Sequence, residues 1–395
     1  MSKKFLKVLL SSAMTVSMLA ACGSGGGAGG SGSELAEGDT VKIGGNFELS
    51  GDVASYGTAE SNAVELAIKM YNESEDAKYK LEYVSVDNKG DAAESTTAAT
   101  KLIEEDQVAF IVGPATSGAS IATYQVASDS SVPVISPSTT QINATMNGDE
   151  VYPSAFRICF EDSYQGAAMA QYAAKDMGKK KAAVLAETSD YGQGLANQFI
   201  ETFEANGGEV INSLKDGSYN AGDTDFNAIL TKLSEKDFDV LYVAGYYGEA
   251  GLIIKQAREM GIDATIVGAD GFDSTVLAQL AGKENLNDVF FTTAIASGAP
   301  TEAQEEFKKA YIEEYGEDAL NMFSYLAYDS VMLGIQALEE AGATGPALQE
   351  ALEKAEFDGL TGSFTFDETH TPVKSVLVID AATNGAETNA EVTVK

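Results

Sequence analysis

The chain has 395 residues, of which 60 are acidic and 25 basic, giving a formal net charge of −35. So acidic a surface repels nucleic acid and anionic lipid headgroups, and solubility is its simplest meaning. The single histidine, His370, lies in a turn-like Glu-Thr-His-Thr stretch, and of the two cysteines Cys159 sits inside the apolar run Phe156-Arg157-Ile158-Cys159-Phe160. Neither a His/Cys metal site nor a Ser-His-Asp centre is expected from such a set, and no cofactor is implied.

The first element is a tether. Lys3, Lys4 and Lys7 form a positive start, and Phe5 to Ala20 supplies an apolar stretch too short, and too interrupted by serines, to span a bilayer comfortably. This reads as an export signal. Leu19-Ala20-Ala21-Cys22 resembles a bacterial lipobox, in which the cysteine sulfur is lipidated and cleavage leaves that cysteine as the new N-terminus. The alternative is an ordinary secretory signal with an incidental cysteine. Residues 1–21 are thus expected to be a lipoprotein signal peptide, and residues 22–38, rich in Gly and Ser over 23–33, a flexible lipid-anchored linker.

Strand-like and helical segments then alternate almost to the end. Strands are expected at 41–49, 80–86, 108–113, 132–136, 155–160, 181–186, 240–245, 265–268 and 289–294, several as near-continuous apolar runs suited to burial on both faces. Between them, Ala63, Leu66, Ala67 and Met70 give residues 58–71 one apolar helical stripe, and Phe226, Ile229, Leu230 and Leu233 do the same for 225–236. Residues 193–206 and 303–315 are further helices, with Gly207 and Gly316 as C-caps. Such alternation predicts parallel sheets with right-handed crossovers, and the strand count favours two doubly wound α/β domains over one. Residues 362–367 and 375–380 have no helix between them and read as a strand pair. After residue 33 there is no second membrane segment and no repeat.

Ligands of open α/β sheets bind beyond the carboxyl ends of the strands. Here Gly113-Pro114-Ala115-Thr116-Ser117-Gly118 and Ser136-Pro137-Ser138-Thr139-Thr140 follow two strands and offer hydroxyls and N–H groups suited to a small carboxylate. A helix cap at Ser117 and a turn at Thr140 explain the same residues without a ligand. Tyr56, Tyr191 and Tyr246 sit at three other strand ends and Asp270 at a fourth. A carboxylate beside aromatic faces suits an ammonium group, so the two sets together fit a zwitterionic amino acid.

The order of these motifs resembles the Leu/Ile/Val-binding family of substrate-binding proteins for ABC transporters, with the type I periplasmic-binding fold. "LSGDVASYG" (49–57), "GPATSG" (113–118), "ISPSTT" (135–140), "FRICFEDSYQG" (156–166), "DYGQG" (190–194), "GYYGEAG" (245–251) and "GADGF" (268–272) fall in sequence. The resemblance implies that Ser117 and Thr140, within a loop that includes Thr139, hold the ligand carboxylate. It further implies that the Ser138 carbonyl meets the α-amine with Asp270 as counter-ion. Tyr246 would lie near that polar group, and Tyr56, Tyr191 and Phe323 around the ligand side chain. Family members often carry Glu at the Asp270 position and Ala at Ser138, and the disulfide of some relatives cannot form here. The fold it implies is two doubly wound parallel-sheet lobes joined by a three-segment hinge. Lobe one would span 39–158 and 289–362, and lobe two 159–288 and 363–395.

On this basis the chain is expected to be an extracytoplasmic, lipid-anchored solute-binding protein. It would act as a monomer, deliver a small-molecule amino acid to ABC permease subunits, and have no nucleic-acid partner and no enzymatic activity. A sensor that presents its closed form to a membrane receptor uses the same lobes. A hydrolase is disfavoured by the absence of a histidine base, a Gly-x-Ser-x-Gly elbow or paired metal ligands.

Overall fold

The computed structural model describes residues 32–295, 300–383 and 388–392; the signal segment and Cys22 lie outside them. The apolar runs assemble into two sheets. The first contains β1 (Thr40–Phe47), β2 (Lys80–Asp87), β3 (Ile111–Val112), β4 (Val134–Ser136) and β5 (Ala155–Arg157), all parallel in the order β2-β1-β3-β4-β5. The second places β6 (Lys181–Glu187), β7 (Ser218–Tyr219), β8 (Val240–Ala244), β9 (Thr265–Val267) and β10 (Val289–Thr293) in the parallel order β7-β6-β8-β9-β10. A separate hairpin joins β11 (Glu356–Gly359) to β12 (Gly362–Thr365), and antiparallel β13 (Val376–Asp380) and β14 (Thr388–Val392) complete the second sheet beside β10.

Three expectations change. The strand at 289–293 belongs to the second sheet, where it pairs with both β9 and β13, so residues placed above in lobe one with 289–362 lie beside lobe-two strands. The segments 362–367 and 375–380 do not pair with each other; the first closes a tight hairpin with Glu356–Gly359, and the second docks on β10. A four-residue Glu-Phe-Asp-Gly strand has too little apolar pattern to register in sequence, whereas Gly362, at a φ of 102°, supplies the left-handed turn that the hairpin needs. The run at 108–113 contributes only Ile111–Val112 as a regular strand.

Helices cover both sheets. α1 (Ala54–Asn72) packs on α8 (Met322–Ala341), and α4 (Asp162–Gln171) packs on α5 (Asp190–Ala205). Between these come α2 (Ala92–Thr100), α3 (Ser117–Ser128), α6 (Tyr247–Glu259) and α7 (Glu302–Tyr315). Their starts follow local chemistry. Asp91, Ser189, Thr301 and Asn321 each cap a helix with a side-chain oxygen, the last two as reciprocal capping boxes. Gly316 ends α7 at a φ of 88°.

The chain passes between the sheets after β5, after β10 and before β13. Arg157, fully buried at the first passage, donates to the Glu161 carboxylate, to the carbonyls of Thr139 and Gln141, and to Thr371 Oγ1 on the third. His370 stacks on Phe156 at 4.3 Å, with Nδ1 2.9 Å from the Ala155 carbonyl oxygen. Cys159 is buried, its thiol donating to the Thr139 carbonyl at 3.0 Å, and burial pushes its pKa up. His370 and Cys159 are therefore packing groups at the passages.

Gly334 of α8 faces the buried Phe110 so closely that any Cβ would meet its ring. Gly334→Leu is expected to cost about 1–3 kcal/mol of stability through overpacking, read as a lowered urea midpoint with an unchanged m-value.

Candidate functional site

The site is built where the two lobes meet. One cavity is lined by Tyr56, Ala115, Thr116, Ser117, Ser138 and Phe323 from the first side, and by Tyr191, Tyr246, Asp270 and Gly271 from the second. Seven of the nine ligand-binding candidates are thus brought together. Thr139 and Thr140 are fully buried but do not line it. The Thr139 carbonyl is taken by Arg157 and Cys159, and the Thr140 carbonyl accepts from the Asp162 N–H at 2.7 Å.

The aromatic wall is continuous. Tyr56 packs against Phe323 at 4.6 Å, Tyr247 at 5.0 Å and Tyr246 at 5.9 Å, while Tyr191 stacks on Tyr246 at 4.8 Å, the rings nearly parallel. Each lobe presents its tyrosine in the same way. A Tyr-Gly pair in the first helical turn packs onto the end of the preceding strand, and a Cβ on Gly57 or Gly192 would collide with the Glu48 or Glu187 carbonyl respectively. The absent side chain is what lets Tyr56 and Tyr191 reach the cleft.

Across the cleft the lobes touch directly. Tyr56 donates its hydroxyl to the Gly271 carbonyl at 2.5 Å, Ser55 Oγ lies 2.8 Å from Ser274 Oγ, and the Met322 N–H donates to Asp273 Oδ2 at 3.0 Å. These contacts define a closed arrangement.

The acid side is more elaborate than its sequence motif. Asp270 is buried, and Tyr191 Oη donates to its Oδ1 at 2.6 Å and Gln165 Nε2 at 3.0 Å. Among the described residues its Oδ2 accepts no hydrogen bond, and it makes no ion pair. Burial pushes its pKa up to about 6, the bonds from Tyr191 and Gln165 opposing a larger rise. Gln165 is the organiser: its Nε2 also donates to Asp162 Oδ1 at 2.9 Å, while its Oε1 accepts from the Asp270 N–H and from Thr292 Oγ1. Asp162 Oδ2 is buried without a partner, and burial together with the charge of Asp270 raises the Asp162 pKa. Of the two carboxyls, Asp270 is therefore the one ionised at neutral pH.

On the opposite wall, Glu48 occupies part of the donor loop. Ala115 N–H, Thr116 N–H and Thr116 Oγ1 all donate to its carboxylate, at 3.0, 3.0 and 2.8 Å. A ligand carboxylate is left with Ser117 and the N–H groups of the first turn of α3. Glu48, Glu60, Asp162 and Gln165 are not separable by sequence reasoning from solvated helix and loop residues. The available signal was spacing: Glu60 follows Tyr56 by four residues, on the same helical face.

A two-lobed α/β body closed over a cavity with an acid on one wall, hydroxyls on the other and aromatics on both defines a solute-binding protein. The chain belongs to the periplasmic binding protein family, whose model matches residues 40–386. Among its relatives, a Leu/Ile/Val-binding protein homolog of Brucella melitensis is 30% identical over 83% of this chain and 88% of its own. LivJ of Streptococcus pneumoniae, a branched-chain amino acid transporter substrate-binding protein solved with isoleucine, is 37% identical with a TM-score of 0.81, covering 90% of this chain and 99% of the other. A solute-binding protein of Rhodopseudomonas palustris solved with 3,4-dihydroxybenzoic acid is 25% identical with a TM-score of 0.78, over 89% and 96% of the two chains. The fold is the type I periplasmic-binding fold, the family is one of extracytoplasmic solute-binding proteins, and no described helix is long and apolar enough to cross a membrane.

Gln165→Leu keeps the volume but strands the Asp270 N–H, Thr292 Oγ1 and Asp162 Oδ1, and leaves Asp270 Oδ1 with Tyr191 alone. The expected cost is at least about 2 kcal/mol of stability, measured by chemical denaturation without ligand.

Proposed function

We propose that this chain is a lipid-anchored binding protein that captures a branched-chain aliphatic amino acid and delivers it to an ABC importer. The observation that supports it most is Asp270. A carboxylate ionised near neutral pH stands at the cavity wall with one oxygen unused and no cation from the described residues. A ligand ammonium meets that need, Ser117 and the start of α3 meet a carboxylate, and Tyr56, Tyr191 and Phe323 surround an apolar side chain. Tyr246, stacked on Tyr191, screens the acid. Thr140 and Thr139 support the loop that presents Ser138. A benzoate-type ligand, as in the Rhodopseudomonas relative, would leave Asp270 without a counter-ion, which favours the amino acid.

Binding works through closure. Donors on the first lobe and the acid on the second reach one molecule only when the lobes meet, so a ligand touching both stabilises the closed form. We assign the hinge to the three passages, with the return to the first lobe after β10. Cys22 then tethers the body near its permease, and one protomer suffices for one ligand.

Calorimetry across the amino acids tests the reading: leucine, isoleucine and valine should bind, and no heat from any amino acid would contradict it. Asp270→Asn should weaken leucine binding by about 2–5 kcal/mol by leaving the ammonium without a charged partner. Wild-type affinity should fall as pH drops below about 6 and Asp270 takes up a proton.

A further inference from the structure

Glu60 lies in α1, one turn beyond Tyr56, fully buried directly behind Ser138. Its Oε1 is 2.6 Å from Ser138 Oγ, and its Oε2 is buried without any partner. Ser138 Oγ is also 3.0 Å from the Ala115 carbonyl oxygen. A hydroxyl has one proton, and the Ala115 carbonyl can only accept. If Glu60 were ionised, Ser138 would face two acceptors with one hydrogen, and one contact would be a repulsion between buried oxygens.

We propose that Glu60 holds its carboxylic proton at neutral pH, donates it to Ser138 Oγ, and so fixes Ser138 as a positioning residue that shows the ligand an acceptor. This inference rests on the amino-acid reading above and extends it to a residue outside the cavity lining. The hydrogen-bond chain runs from Glu60 to Ser138 Oγ and from Ser138 to the Ala115 oxygen. The lone pair left on Ser138 Oγ suits an ammonium hydrogen and repels a carboxylate, so the ligand's polar end is oriented by a neutral acid as well as by a charged one.

The surroundings agree. Glu48 receives three donors and needs no proton of its own, so it is the ionised carboxylate of the pair, and its charge adds to burial in raising the Glu60 pKa. Tyr83 of β2 in turn feels the charge of Glu60, and burial keeps its phenol neutral. On the remaining elements packed against α1, Tyr311 of α7 is bonded to the Ala59 carbonyl, Tyr315 to Glu65, and Asp329 of α8 to Leu360 and Thr361. No basic side chain forms an ion pair with Glu60 among the described residues. Closure over a ligand removes further water from Glu60 and strengthens its hold on the proton, so binding takes up protons as pH rises.

Glu60→Gln is the test, because its amide N–H replaces the acid proton toward Ser138. Infrared difference spectra of wild type against Glu60→Gln read the state of Glu60 with or without ligand. A protonated-carboxyl stretch present at pH 7 in wild type and lost in the variant is expected; its absence overturns the proposal. Leucine titrations form the second arm. Wild-type affinity should decline across the pH range in which that band fades, by up to about tenfold per pH unit for one proton. The variant should keep the neutral-pH affinity and lack this decline, apart from the share of leucine's own amine. Parallel pH profiles with the band present would overturn the role in binding and leave Glu60 a packing residue. Failure of leucine to bind wild type at any pH would overturn the amino-acid reading, while the infrared arm still decides the protonation of Glu60.

Discussion

A carboxylate buried in a cleft without a cation is a standing electrostatic demand, and Asp270 imposes it on everything around it. Two donors, from Tyr191 and Gln165, hold it in place but go to one oxygen. Partial solvation of this kind keeps the acid ionised near neutrality without satisfying it. The neighbouring acid cannot share the charge, and Asp162 yields by keeping its proton. Each of the surrounding features follows from that allocation: the amide of Gln165 turned with its oxygen toward donors, the hydroxyl of Thr292 spent on it, and the aromatic pair Tyr191–Tyr246 shielding the site from water.

The second demand is geometric. Both lobes must bring a large aromatic to the same point without blocking each other. A Tyr-Gly pair at the first turn of each helix achieves this, since the missing Cβ lets the helix sit on the strand end. The two lobes share this device although the chain shows no repeat in its sequence. Once Tyr56 reaches the Gly271 carbonyl, the closed form has its own contacts, and a ligand need supply only the difference between open and closed. Two of the passages are joined by Arg157, whose guanidinium bonds Glu161 on the first and Thr371 on the third.

Sequence made the outline legible because topology places chemistry at strand ends. Runs such as Val240–Ala244 announce themselves by continuous apolarity, and Asp270 and the tyrosines stand in the loops where such sheets bind. Glu60, Asp162 and Gln165 stayed hidden because a polar residue on a helix reads as solvated until its neighbour is known, and all three are buried. The loop at 113–118 offered donors suited to an anion, yet the N–H groups of Ala115 and Thr116 are committed to Glu48, a partner 67 residues from Ala115. The strand at 289–293 is legible as a strand, but from sequence it is expected in lobe one rather than beside β9 and β13, since pairing partners carry no local mark.

The central claim is that the cleft recognises a zwitterion, with an ammonium at Asp270 and a carboxylate at the start of α3. Calorimetric comparison of leucine with 4-methylpentanoate, which lacks the amine, and with 3-methylbutylamine, which lacks the carboxylate, tests it most directly. The account predicts that leucine binds and that each analogue is weaker by at least about a hundredfold, a loss of about 2.7 kcal/mol. Equal binding of 4-methylpentanoate and leucine would contradict it.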